Sequence, residues 1–539
     1  MQYIKRILGL FFFSLMVLAL WQCAKRGSPT GGPKDVDPPV LLRSEPKNLS
    51  TNFKANKIRL YFDELIKLED VQNQLVVSPP FKHAAEITPQ GIPSRYIEIT
   101  IKDTLRENTT YTINFGQSIV DNNEGNPNPF LSYVFSTGDY LDSLTLSGAV
   151  KDAFNRRADP FISVMLYEMD STYTDSTIYN SPPLYITNTG DSLPLFELKY
   201  LKAGKYSLIG LKDANRNNMF DQRLDKIGFV RDTISLPTDS TYLLNLFMEL
   251  PDYSASVPTY LAKNKILFGY SGDYRDMKIE PLIPLPDSVR TIIRKERDKD
   301  TLNFWLTPTD LDSIVFTVTN DRIMVSDTFT VKTRKLAMDT LRLSNSASSR
   351  FKFGDRFSVL ANTPIVEIDS SKIGLTVNDS LVAPFRVRLD STENKLDFDF
   401  EVEPNQSYKF SLLPAAVTDF FGSQNDSIVY TLSTGSLADF GDLRIELGGS
   451  VAYPLVVQLT NEKGELVREI VAPEPRPFEF LSLEPANYRV RVIFDENGNG
   501  IWDTGSFLKK LQPERISYYP DLIEIRANWE KTETFILTD

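Results

Sequence analysis

The chain has 539 residues, of which 41% are apolar, 24% charged and 11% aromatic, enough apolar material for several folded domains. Lys and Arg number 59 against 71 Asp and Glu, a formal net charge of −12, which argues against general nucleic-acid binding. There is one histidine, His83, and one cysteine, Cys23, so His-dependent triads, Cys/His zinc sites, thiol catalysis and internal disulfides are excluded or nearly so.

In chain order, Lys5 and Arg6 precede an apolar run from Ile7 to Leu20, which has signal-peptide length and is too short to span a bilayer comfortably. Residues 1–22 read as a cleaved signal peptide. The run leads directly into Leu20-Trp21-Gln22-Cys23, which resembles the lipobox of bacterial lipoproteins. That resemblance implies that Cys23 is acylated and becomes the mature N-terminus, with each buried methylene contributing about 0.8 kcal/mol to membrane anchoring. The competing reading is a secreted protein with a stray cysteine. Ala24 stands where an aspartate would resemble an inner-membrane retention signal, so the resemblance points to the outer membrane. Lys25 and Arg26 replace the acidic residues of a surface-export patch, leaving the periplasmic and cell-surface faces both open. The Gly- and Pro-rich stretch from Gly27 to Pro39 cannot pack a core, so residues 23–36 read as an acylated cysteine and flexible tether.

Beyond the tether, alternating or short apolar runs recur between Pro, Gly, Asn and Asp. Examples are Lys57 to Phe62, Tyr96 to Ile101 and Tyr111 to Phe115. These are strand patterns, and little sustained helical periodicity interrupts them. The fold class expected is all-β, as tandem β-sandwich modules. Asn108 to Gly138 repeats as Asn405 to Gly435, each copy placing a Tyr 27 residues before the final Gly and an Asp, Asp121 or Asp419, in the loop between strands. With Pro38-Pro39, Tyr61-Phe62-Asp63-Glu64 and Phe135-Ser136-Thr137-Gly138, this resembles the bacterial Ig-like domain of S-layer and surface proteins. A second repeat places Tyr206 seven residues before Asp213 and Tyr488 seven before Asp495, behind Leu146 to Val150 and Leu447 to Val451. It is similar to the prealbumin-like sandwich, also found as carboxypeptidase regulatory-like modules. The organisation expected is Ig-like A over 37–138, prealbumin-like B over 139–250, Ig-like C over 251–339, Ig-like A′ over 340–437 and prealbumin-like B′ over 438–539. As a whole the chain resembles the multi-domain Ig-like-domain lipoproteins of the Bacteroidota, a resemblance that lends fold but no defined activity.

The motif closest to a ligand site is the loop Asp213, Asn215, Asn217, Asp221, repeated as Asp495, Asn497, Asn499, Asp503. Oxygen-bearing side chains at positions 1, 3, 5 and 9 suit calcium, which needs only oxygen ligands. Leu224 and Ser506 stand where an EF-hand would have its bidentate Glu, and Asp225 is available to complete the first copy. The alternative is a hairpin loop in which Asp and Asn cap their own backbone; both readings stay open. Asp-Ser/Thr followed by an aliphatic residue or Thr, as in Asp103-Thr104-Leu105 and Asp312-Ser313-Ile314, resembles the O-glycosylation sequon of Bacteroidota and equally reads as turns entering β-branched strands. Adjacent acids such as Asp63-Glu64 and Glu69-Asp70 invite a glycosidase reading, but among 71 acids such adjacency reads as a solvated face. His83 falls in an expected loop with no visible partner motif. Walker, dinucleotide, nucleophile-elbow and HExxH motifs are absent.

The function expected first is a non-enzymatic, lipid-anchored scaffold or adhesion protein that needs no cofactor beyond optional Ca2+ and binds an outer-membrane or envelope protein. Second comes a carbohydrate-binding surface lipoprotein, and third a carboxylate-dependent glycan hydrolase.

Overall fold

The structure, a computed structural model, describes residues 34–537 apart from 130, 191–192, 347–349 and 450. Cys23, the expected signal peptide and most of the tether lie outside the described residues. The protein is all-β, with 49% strand and 3% helix, and its described residues divide into two compact units, 34–143 with 200–202 and 144–199 with 203–537.

In the first unit, Leu41–Glu45, Lys57–Leu68, Glu86–Thr88, Ser94–Thr100 and Ile119–Asp121 form one sheet, and Val76–Ser78, Thr110–Asn114 and Ser132–Ser136 form a second. Strand alternation builds the core. Ile58, Leu60 and Phe62 face inward with Ile97 and Ile99 from one sheet, and meet Tyr111, Ile113, Tyr133 and Phe135 from the other. Tyr111 stacks on Phe135 at 5.3 Å.

The Tyr and Asp of the longer repeat brace the backbone. The Tyr111 hydroxyl accepts from Arg106 N at 2.8 Å, and Tyr408, in the second unit, accepts from Glu403 N at 2.5 Å. Both are five residues upstream, the geometry of a tyrosine corner. Thr137 Oγ1 donates to Arg106 O and Thr434 Oγ1 to Glu403 O, so the Ser-Thr-Gly strand ends lock the same two corners. Asp121, 1% exposed, accepts from Asn123, Glu124, Gly125 and Asn126 N. Burial alone would raise its pKa, but these four N–H groups bring the carboxyl down to about 2. Asp419 repeats the motif with Phe421 N and Ser423 N.

The second unit holds four cores in chain order. Over 144–248 the first and last strands, Leu144–Asp152 and Thr241–Met248, run parallel. Over 441–537 the first and last strands, Gly441–Gly449 and Glu530–Leu537, do the same, so the shorter repeat shares an uncommon pairing as well as a motif. Between them, residues 254–332 pack around Phe268, Phe304 and Phe316, and residues 343–433 around Phe357, Phe398 and Phe410. Helix is confined to single turns at Val71–Gln74 and Thr177–Asn180 and two 3-10 turns among the described residues.

Strand Leu455–Asn461 is buried at six successive positions, so both of its faces are covered. Leu455, Val457 and Leu459 enter the core of their own sandwich. On the opposite face Gln458 accepts from Arg491 Nε at 2.6 Å, and the Arg491 guanidinium lies 4.3 Å from the ring of Phe154. Phe154 belongs to the other copy of the repeat, more than 300 residues away in sequence.

Candidate functional site

The two Asp-Asn loops are built alike. In the first, Asp213 Oδ2 accepts from Asn218 N at 2.7 Å and Asn217 Oδ1 from Met219 N at 2.8 Å, with Arg216 and Asn218 at positive φ. Asn215 is exposed. The loop is closed by Asp225, fully buried, which accepts from Ala214 N through Oδ1 and from Asp221 N through Oδ2, both at 2.8 Å. Burial pushes its carboxyl up, against the pull of those two bonds.

In the second loop, Asp495 accepts from Asn499 N and Gly500 N at 3.0 and 2.8 Å. Asp503 Oδ2 accepts from the amides of Asn497 and Asn499. Gly498 and Gly500 take φ of 73° and 79°, a region that costs a residue with a Cβ. The closing acid is Glu514, which accepts from Glu496 N at 2.8 Å and Asp503 N at 3.0 Å; burial likewise pushes its carboxyl up. Asp225 and Glu514 are thus equivalent, since each binds the N–H groups of loop positions 2 and 9. Glu514 escapes the sequence pattern because it follows the first Asp by 19 residues, whereas Asp225 follows by 12.

Most of the loop carboxylates are engaged by N–H groups of their own loops. Among the described residues no group of three or more His, Cys, Asp or Glu is placed to hold a metal. Asp213 Oδ1 is buried with no hydrogen-bond partner.

The extra residues of the second loop form an arm seated on the first repeat. Thr504 Oγ1 donates to Met248 O at 2.6 Å, Phe507 N donates to Glu249 Oε1, and Gln512 Nε2 donates to Phe229 O at 3.0 Å. Glu249, 2% exposed, holds its other oxygen against Gln222 Nε2 at 2.8 Å, so each oxygen of the buried carboxyl group has a hydrogen-bond donor. Phe507 meets Phe229 edge to face at 5.3 Å. Lys510 Nζ lies 3.9 Å from the Phe507 ring centroid and 2.7 Å from Asp175. Gly505 is required by this approach, since a Cβ there would lie 2.6 Å from the Phe247 ring. Beyond the arm, Trp502 packs on Phe154 at 4.8 Å, Tyr518 donates to Phe154 O, and Arg156 donates to Pro520 O at 2.7 Å.

Shorter seams join the neighbouring sandwiches of the same unit. Arg290 donates to Phe420 O at 2.9 Å and Trp305 packs on Phe421. Lys352 pairs with Glu484 at 2.8 Å, and Arg468 with Asp355 at 3.0 Å. Modules written in series in the sequence therefore return on themselves, the last resting on the first of this unit.

The acids considered for hydrolysis have local partners or like-charged surroundings. Asp63 Oδ1 accepts from Val40 N and Asp70 from the Asn73 amide. Glu64 is raised by burial first and then by Asp121 and Asp63. His83, for which the sequence shows no partner motif, places Nδ1 2.6 Å from Asp103 Oδ1. The pairing was hidden because 20 residues separate the two.

Residues 35–137 match the family model described as a bacterial Ig-like domain. No curated protein matches the sequence. Among solved structures, an S-layer protein aligns at 11% identity and a TM-score of 0.13, covering 84% of this chain and 65% of its own length. The major pilin subunit of Bacillus cereus aligns at 9% and 0.14, covering 73% and 99%. The BSP domain of a biofilm-associated protein aligns at 7% and 0.14, covering 93% and 99%. Superpositions this loose carry no inference about function.

Proposed function

We propose that this is a non-enzymatic cell-envelope protein, anchored through acylated Cys23 in an outer membrane, whose modules serve as a scaffold or adhesion platform for an outer-membrane protein partner. The observation that carries the reading is where the repeated polar residues are spent. Tyr111, Tyr408, Asp121, Asp419, Asp225 and Glu514 all bind backbone groups, and the buried Glu249 binds across a module seam. Such residues hold surfaces in fixed relation, which is what a binding platform requires. The bacterial Ig-like match over 35–137 agrees with this role.

Cys23→Ser should release the protein from membranes into the soluble envelope fraction. Gentle detergent extraction of the native protein followed by mass spectrometry should recover an outer-membrane protein in near-equal amount. Recovery of the protein alone, with binding on a glycan array, would instead favour the carbohydrate-binding reading.

Calcium at the Asp-Asn loops is a second element of the proposal, favoured by the unpartnered Asp213 Oδ1 and by an all-oxygen donor set. A chelator should then lower the melting temperature, and an unchanged midpoint removes the metal from the account.

A further inference from the structure

A cleft of about 710 Å³ lies where the sandwich of residues 254–332 meets that of residues 343–433. Although the chain carries a net charge of −12, five cations line this cleft: Lys265, Arg294, Lys295, Arg297 and Arg342. Three acids line it as well, and each is already engaged. Glu296 faces Lys265 at 3.2 Å, Asp339 faces Arg342 at 3.6 Å, and Glu393 faces Lys395 at 2.7 Å. Lys295 Nζ donates to the Glu296 and Lys299 carbonyls at 3.4 and 3.3 Å and lies 5.5 Å from the Tyr274 ring centroid, whereas among the described residues Arg294 and Arg297 have no carboxylate within 4.0 Å.

Arg294 is the more exacting of the two. Its hydrogen bond runs from one terminal nitrogen to the Ile293 carbonyl at 3.0 Å, and its Nε is buried with no acceptor. Burial pushes its pKa down. Beside it Asn303, 4% exposed, donates to Glu296 while its Oδ1 has no donor. A half-buried guanidinium without a counter-ion costs stability, and an unmatched amide oxygen adds to that cost. An oxyanion in the cleft beside the guanidinium would offset the cost of the unpaired charge.

We infer that this cleft binds an oxyanion, a carboxylate, sulfate or phosphate group, held by Arg294 with Arg297. The anion is either a free ion or a group carried on a sugar. Arg suits this role because its planar fork matches an oxyanion's geometry.

The test is titration calorimetry on the full chain at low ionic strength with sodium glucuronate, inorganic phosphate, sulfate and, as a neutral control, glucose. Wild type should bind at least one of the anions at millimolar concentration and not glucose. Binding of glucuronate alone assigns the anion to an acidic sugar, and binding of phosphate or sulfate assigns it to a free ion or ester. Arg294→Met should weaken binding about tenfold or more while the melting temperature of the ligand-free protein stays level or rises, because an uncompensated charge has been removed. Arg297→Gln, at an exposed position, should weaken binding less, and Lys463→Gln, in a distant hairpin, not at all. Failure of wild type to bind any of the three anions, unchanged binding by Arg294→Met, or a lower ligand-free melting temperature in Arg294→Met would each overturn the inference.

Discussion

The two Asp-Asn loops share a closing device and differ in what lies between the loop and the acid that closes it. In the first, Asp225 follows at once and the loop ends where it began, as a brace inside its own sandwich. In the second, the interval before Glu514 admits an arm, and Phe507 is buried against Phe229 of the other repeat. A shared pinning geometry therefore tolerates insertion, since loop length costs little entropy once both ends are fixed, and the insertion supplies the contact that returns the last sandwich to the first of its unit.

Removing the arm's anchor should separate the two copies most sharply. Phe507, 1% exposed, contributes nothing to the core of its own sandwich, so Phe507→Ala should cost about 3–5 kcal/mol, all of it in the seam. Calorimetry should show the wild-type transition splitting, with the sandwich of 441–537 melting at lower temperature. The closing acids come next. Glu514→Ala and Asp225→Ala each strand two N–H groups, for about 2–4 kcal/mol in denaturant titration. Only Glu514→Ala should also loosen the arm, measurable as faster proteolysis near Leu508.

The pH dependence distinguishes these acids from Asp121. Asp225 and Glu514 are raised by burial, so their contribution is fullest below the ordinary carboxylate range and declines as pH rises through their raised pKa values. Asp121 is lowered from 3.8 to about 2; its contribution of about 2 kcal/mol is present above pH 4 and lost as pH falls toward 2. Asp121→Asn should flatten the acid limb of a stability profile of the first unit. Asp225→Asn should leave that limb in place. The smallest effect belongs to the corners. Tyr111→Phe and Tyr408→Phe should each cost about 1 kcal/mol in chemical denaturation, and similar values at both would show that the corner works alike in both copies of the longer repeat.

Strand alternation made the all-β class legible, because Ile58, Leu60 and Phe62 alternate with exposed or half-buried neighbours at the period of a half-buried strand. The repeated Tyr and Asp were legible for a related reason: their partners lie within five residues, so spacing carries the geometry. Asp225 was within reach of the same logic. Glu514, Glu249 and Phe154 were not, since their partners lie 11 to 364 residues away, and an aromatic or acidic residue in a loop looks the same whether it meets solvent or another module. The burial of both faces of Leu455–Asn461 carried a trace of the seam, because Val456 and Val457 are apolar in succession, but a short apolar run is equally consistent with a strand end.

The seam between the two repeats is the centre of the account, and zero-length carbodiimide cross-linking addresses it directly. Lys510 Nζ lies 2.7 Å from Asp175, 335 positions away in the chain, while Lys226 and Asp159, also at 2.7 Å, provide a pair within one sandwich. Monomeric protein should yield a cross-linked peptide joining residues 175 and 510 alongside the control, and Lys510→Arg should abolish the first and spare the second. Formation of the control without the 175–510 peptide would contradict the docking of the two repeats.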